Sequence, residues 1–166
     1  MIRRAQHTDW PAIVRLLDQL DYPDTGKFLE NRLAQLLNDP AEILLVWEDD
    51  SSANPANLAN PATPATPGSG SALTEAPAPI LGFLSLHFIP QIALMGDFAR
   101  ISYFAVDDEA RSHGIGRQLE ETATRLATER GCALMEVHCH TRRTRAHEFY
   151  SRQGWTESPK YLIKKL

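Results

Sequence analysis

The stretch Ala110–Leu119, ARSHGIGRQL, sets Gly114 and Gly116 one residue apart, between Arg111 and the start of a helical pattern. From Gly114 to Arg130 the apolar positions Ile115, Leu119, Ala123 and Leu126 recur at helical spacing, and Gly131 follows as the residue past the helix end. Just upstream, RISYFAV (Arg100–Val106) reads as a strand. The glycines therefore sit at a strand-to-helix turn. The first N–H groups of a helix have no intrahelical partner, and together with the axial dipole they favour an anion. Gly114 and Gly116 leave the loop amides uncovered, while Arg111 and Arg117 offer charge-assisted contacts suited to phosphate oxygens. A tight turn before a helix uses the same two glycines, and the spacing alone does not choose between these readings. Two other phosphate loops are excluded: no Gly-Lys-Ser/Thr follows, and a dinucleotide fingerprint needs a third glycine and a later acidic residue.

Outward from this turn the chain alternates strands and helices. Ile2 to Ala5 reads as a short strand. TDWPAIVRLLDQL then offers Thr8 or Asp9 as a cap, Pro11 in the first turn, and Ile13, Leu16, Leu17 and Leu20 on one helical face. A second helix carries Phe28, Leu29, Leu33, Leu36 and Leu37 and stops at Pro40; Glu42 to Glu48 follows as a buried strand by its unbroken apolar run. ILGFLSLHF reads as a further strand with Phe83, Ser85 and His87 on one face and Leu84, Leu86 and Phe88 on the other. Between Asp50 and Pro79 the composition turns to Ala, Pro, Ser, Asn and Thr, with six of the eleven prolines and little to bury. The expectation is a single domain over 1–166 with a solvated Pro/Ala-rich insertion at about 50–79 inside a hairpin.

Composition adds bounds. The 166 residues are 43% hydrophobic and 23% charged, the size and balance of one globular domain. No run of about 18 uncharged apolar residues exists and no apolar stretch follows the N-terminal arginines, so a cytoplasmic, soluble chain without membrane contact is expected. Residues 1–110 carry 6 Lys or Arg against 15 Asp or Glu, and residues 111–166 carry 11 against 6, which leaves the halves at −9 and +5. A solvated surface tolerates this split; it also suits a C-terminal half that holds a polyanion and an N-terminal half that faces something cationic or neutral. Cys132 and Cys139 bracket ALMEVH, which as a strand separates them well beyond the roughly 7 Å a disulfide spans. His138 and His140 share a strand face but lack a third ligand, so no metal is expected.

ISYFAVDDEARSHGIGRQLEETATRLATERGCALMEVHCHTRRTRAHEFYSRQGW resembles the GCN5-related N-acetyltransferases (GNAT), whose pyrophosphate motif Arg/Gln-x-x-Gly-x-Gly/Ala is met by Arg111, Gly114 and Gly116. The resemblance covers about 55 residues closely, with the N-terminal helices fitting more loosely. It implies an α/β fold, a mixed, mostly antiparallel twisted sheet flanked by helices and splayed near Val106. It also implies that acetyl-CoA is the co-substrate. The backbone of Phe104, Ala105 and Val106 would pair with its pantetheine arm, and Arg111, Ser112, His113, Gly114, Ile115, Gly116 and Arg117 would hold its pyrophosphate. Tyr150, in AHEFYSRQGW, matches the family's frequent general acid; a phenol of ordinary pKa near 10 stays protonated at neutral pH and can give its proton to the departing thiolate. Many relatives carry an Asn near the start of the Tyr-bearing helix, where this chain has Thr141, Arg142 and Arg143, so that contact is unassigned.

An amine of ordinary pKa near 10.4 must lose a proton before attack. His87, on the strand next to the cofactor-binding one, is the first candidate base; Asp97, Glu48 and a chain of waters stay open, as does a purely structural histidine. The segments LNDPAEILLVWE, SLHFIPQI and RTRAHEFYSRQGW are also similar to aminoalkylphosphonate and aminoglycoside-type acetyltransferases, which points to a small-molecule amine as acceptor. Alternatives are a protein or peptide amine, or an acetyl-CoA-binding sensor or partner module without turnover; turnover of any amine separates enzyme from sensor. Nucleic acid is opposed by the overall acidity and by the lack of a basic, aromatic strand face. A homodimer is compatible with the sequence, which does not fix the number of copies.

Overall fold

The computed structural model describes residues 1–50, 78–158, 162 and 164, so most of the insertion lies outside the described residues. The chain divides into two compact units, Met1–Glu136 and Val137–Leu166. A single sheet runs in the order β1 (Ile2–Arg4), β2 (Glu42–Glu48), β3 (Ile80–Ile89), β4 (Phe98–Val106), β5 (Leu134–Val137). The first three pairings are antiparallel. Ala133 N–H donates to Asp97 O, and Arg100 pairs with Glu136; both pairs lie 36 residues apart, the constant offset of a parallel neighbour. The sheet is thus mixed and mostly antiparallel, as expected.

Alternation on β3 sorts the two faces. Phe83 joins Leu44, Val46, Ile80 and Ala105 in one core with Ile13, Leu16 and Leu17 of α1 (Trp10–Asp18) and Leu29 and Leu33 of α2 (Leu29–Leu37). Leu84, Leu86 and Phe88 point the other way, toward α3 (Ile115–Glu129), which buries Ile115, Leu119, Ala123 and Ala127. A Cβ on Gly82 would sit 3.1 Å from Leu119 and 3.2 Å from Ile115, so the bare backbone there lets α3 close onto β3. At its far end α3 stops in a Schellman motif: Cys132 N–H donates to Ala127 O and Gly131 N–H to Thr128 O, with Gly131 at φ 78°.

Three details depart from the sequence expectation. Phe28 is 55% exposed because it precedes α2 with φ −140°, off the helical face that Leu29 and Leu33 bury. Ala127 rather than Leu126 completes the buried face of α3. Asp9 does not cap α1 with its side chain. Its carboxylate instead accepts Gln6 N–H at 2.7 Å and both ends of the Arg3 guanidinium at 2.8 and 2.9 Å, while the same Arg3 reaches Glu48 at 2.9 Å. One arginine fork thereby ties β1, the entrance of α1 and the end of β2 together.

The hairpin ends that flank the insertion are already joined, since Glu48 pairs with Ile80 and Asp49 N–H donates to Pro79 O at 2.9 Å. Deleting Ser52 to Ala76 and closing with a short Gly-Asn turn should therefore leave Tm nearly unchanged, because loop-closure entropy changes slowly with length. A stability loss of several kcal/mol in urea titration, far above the ~0.6 kcal/mol per doubling of loop length, would show that the segment packs on the sheet.

Candidate functional site

Strand β4 has two different edges. Asp107 N–H, one residue past its end, donates to Leu81 O, so by alternation the backbone groups of Ala105 and Tyr103 face β3 while those of Phe104 and Val106 face away. On that far side β5 is only four residues long, and at the offset seen for Asp97 and Arg100 it runs out near Ile101. The strands therefore part well before Val106, not near it. A bulge at Ser102 marks the same place: Ser85 pairs with Tyr103 and Leu86 with Ile101, which leaves Ser102 as the extra residue. Of the three strand residues singled out in the sequence, Phe104 and Val106 present their backbone outward, and buried Ala105 gives its backbone to β3.

Beyond Val106 the chain makes a 3-10 turn, Asp108–Ala110, capped by Asp107, whose side chain accepts Glu109 N–H at 3.1 Å. Arg111 to Gly114 then lead into α3, with Ser112 at φ 68° and Gly114 at φ 82°. The nearest atom to a Cβ on Gly114 is Gln118 Nε2 at 3.8 Å, so its glycine answers a backbone demand and not a crowded site. Gly116 is inside the helix and its φ is not positive, so no conformational need explains it. The first turn of α3 begins when Gln118 N–H donates to Gly114 O at 3.1 Å. Among the described residues the N–H groups of Gly114, Ile115, Gly116 and Arg117 have no acceptor. Ile115 anchors this turn through its buried side chain. His113 Nδ1 lies 3.2 Å from Ala110 O.

The two arginines of the motif are engaged with carboxylates on the surface. Arg111 pairs with Asp108 and also donates from Nε to Val106 O at 3.3 Å; Arg117 pairs with Glu121 at 2.7 Å, one helical turn on. Exposed pairs of this kind are weak and exchange readily for another anion.

His87 lies opposite Glu42 on β2 and opposite Arg100 on β4. Its Nδ1 pairs with the Glu42 carboxylate, and with the proton held there Nε2 carries the lone pair, with no partner among the described residues. Arg100 in turn donates to Glu136 at 2.7 Å, so Glu42, His87, Arg100 and Glu136 form a polar row across four strands, beside the bulge. The other two acids considered as bases are tied up. Glu48 lies on β2, away from β4, where its hydrogen bond from Arg3 holds its carboxyl below the ordinary range; Asp97 faces Arg130 at 3.6 Å.

In the second unit, α4 (Thr144–Arg152) carries Tyr150, half-buried between Phe149 and Trp155 with ring centroids 5.2 and 5.5 Å away. His140 turns inward on its own loop: its Nδ1 accepts Arg142 N–H and its carbonyl meets His147 Nε2 at 3.1 Å. Both cysteines are free, and burial pushes each thiol pKa up, which keeps them protonated and poorly nucleophilic. Among the described residues no group of three or more His, Cys, Asp or Glu side chains is placed to hold a metal, and no helix is long and apolar enough to cross a membrane.

The model of the acetyltransferase (GNAT) family matches residues 10–155. Among solved structures, a protein of Agrobacterium tumefaciens described as an acetyltransferase superposes with TM-score 0.76 at 16% identity, over 99% of each chain. An aminoglycoside antibiotic 6'-N-acetyltransferase of Acinetobacter haemolyticus gives 0.72 at 15%, and a transcriptional regulator of Bacillus halodurans 0.71 at 23%, each over 100% of this chain and 99% of the other. At these identities the likeness is one of fold. No curated protein matches in sequence.

Proposed function

Because the chain belongs to the acetyltransferase (GNAT) family, we propose that it moves the acetyl group of acetyl-CoA to a primary amine of a small molecule, by direct attack in a ternary complex. The observation that carries this reading is the row of N–H groups at the start of α3 that have no acceptor among the described residues, close in sequence to the end of β4. Phe104 and Val106 turn their backbone away from β3, and the 3-10 turn that follows leads to the open N–H groups of Gly114 to Arg117, an order that suits a thioester arm followed by a pyrophosphate. Gly116 supports it, because a glycine without a conformational reason is explained by close approach of a ligand to the helix start.

Bound acetyl-CoA supplies the thioester carbonyl that the amine attacks. In this reading the N–H groups of Gly114, Ile115, Gly116 and Arg117 hold the pyrophosphate, and Ser112 and His113 shape the loop that presents them. Arg111 and Arg117 exchange their surface carboxylates for phosphate oxygens. Phe104 and Val106 pair with the amide-bearing arm, backed by Ala105. His87, oriented by Glu42, takes the ammonium proton on Nε2, which requires the reacting end to lie toward the bulge at Ser102. Tyr150 gives its proton to the leaving sulfur. The acidic N-terminal half suits a cationic acceptor, and the proteins that share the fold include an aminoglycoside antibiotic 6'-N-acetyltransferase. A thiol-release screen over simple amines, aminophosphonates, aminoglycosides and peptide N-termini should find turnover among the small amines. Acetyl-CoA binding with no acceptor turned over would favour a sensor.

Two substitutions separate binding from chemistry. Gly114→Asp puts a side chain and a negative charge at the pyrophosphate position, so acetyl-CoA affinity should fall at least about tenfold, or ~1.4 kcal/mol, in calorimetry. Gly114→Asn, which tolerates the left-handed backbone without the charge, should fall between that and the parent. Unchanged affinity in a folded Gly114→Asp protein removes the phosphate-loop assignment. Tyr150→Phe should instead spare acetyl-CoA affinity within about threefold and lower kcat by roughly 10²- to 10⁴-fold. Equal single-turnover rates in the two proteins would end the case for Tyr150 as the acid.

A further inference from the structure

The turn that delivers β4 into the phosphate loop is gripped from outside by α1. Arg15 Nη1 donates to the carboxylate of Asp107, and Arg15 Nη2 donates to Ile80 O at 2.8 Å. Asp107 is buried, and its other oxygen accepts Glu109 N–H, so this one carboxylate both caps the 3-10 turn and receives the arginine. Four residues on, at the C-terminal cap of α1, Gln19 Oε1 accepts Asp108 N–H at 3.1 Å. Residues four apart share a helix face, so α1 meets two successive residues of the turn with two successive side chains.

Resting on the proposed acetyl-CoA reading, we propose that Arg15 and Gln19 are positioning residues for the pyrophosphate-binding turn. Neither belongs to the loop, and both act through Asp107 and Asp108. The amides of Gly114 to Arg117 bind well only if they converge before the ligand arrives, since ordering a loop during binding subtracts from affinity. The direction of that convergence is set where the chain leaves β4. There Asp107 N–H is fixed to Leu81 O and its side chain to Arg15, with Arg15 itself braced on the first residue of β3. Without Arg15 the buried Asp107 carboxylate loses its cation and seeks water, and the turn reorients.

The test compares acetyl-CoA with acetyl-pantetheine, the same thioester arm without the pyrophosphate, on the full chain by calorimetry. Arg15→Met should weaken acetyl-CoA about tenfold (~1.4 kcal/mol) and Gln19→Leu about threefold, with Arg15→Lys recovering part of the loss. Acetyl-pantetheine affinity should stay within about twofold for every variant, a split that a general loss of structure would not produce. Unchanged acetyl-CoA affinity in folded Arg15→Met, or equal losses for both ligands, overturns the positioning role. If Arg15→Met does not fold, Gln19→Leu decides alone by the same criterion. A parent protein that binds no acetyl-CoA overturns the underlying reading and this one with it, whereas a parent that binds and variants that match it overturn only this one.

Discussion

Strand β4 has more backbone than the sheet can pair. Nine residues long, it is matched along one side by β3 and, on the other, only over its first part by a four-residue β5. Backbone N–H and C=O groups in a folded protein need partners, so an edge left open in the middle of a sheet is either wet or kept for a ligand. Here the edge turned away from β3 ends at Val106, ahead of a helix start at Ile115 whose first N–H groups have no acceptor among the described residues. The bulge at Ser102 and the short β5 shape the edge of β4, and the left-handed Gly114 and the bare Gly116 shape the helix start, as separate devices at two neighbouring places in the chain.

Much of this was legible in the sequence because it depends on local pattern. The amphipathic repeat of Ile115, Leu119 and Ala123, the glycine that ends their helix and the left-handed Gly114 at its start each impose their structure within a few residues. The antiparallel hairpin of β2 and β3 was readable across the insertion, since β2 is an unbroken apolar run between its end glutamates and β3 is apolar apart from Gly82, Ser85 and His87. Residues that act across the sheet were not. Glu42 is 45 positions from His87, and Arg15 is 92 from Asp107; nothing in either local pattern announces its partner. Ala105 read as part of the open edge because strand residues all look alike until the register fixes which backbone groups face which neighbour. Asp9 likewise had the composition and place of a helix cap, and the Arg3 fork recruited it to another task.

The fold explains the acetyl donor better than the acceptor. Donor contacts are proposed for main chain, which sheet and helix geometry place almost regardless of side chains. An acceptor is chosen by side chains such as those in the Glu42, His87, Arg100 and Glu136 row, where Glu42 engages His87 through Nδ1. Proteins of this fold with different side chains there need not share an acceptor, and the structural relatives include an aminoglycoside acetyltransferase and a transcriptional regulator.

The central claim is that two neighbouring segments of main chain, the edge of Phe104 and Val106 that faces away from β3 and the open N–H groups of Gly114 to Arg117, hold acetyl-CoA. Amide hydrogen exchange resolved to single residues, with and without acetyl-CoA, tests it directly. Protection should rise at Phe104 and Val106 and at Gly114, Ile115, Gly116 and Arg117, while Tyr103 and Ala105, already turned to β3, change little. Binding of acetyl-CoA with no gain of protection at these amides, or with gain confined to other parts of the chain, would contradict it.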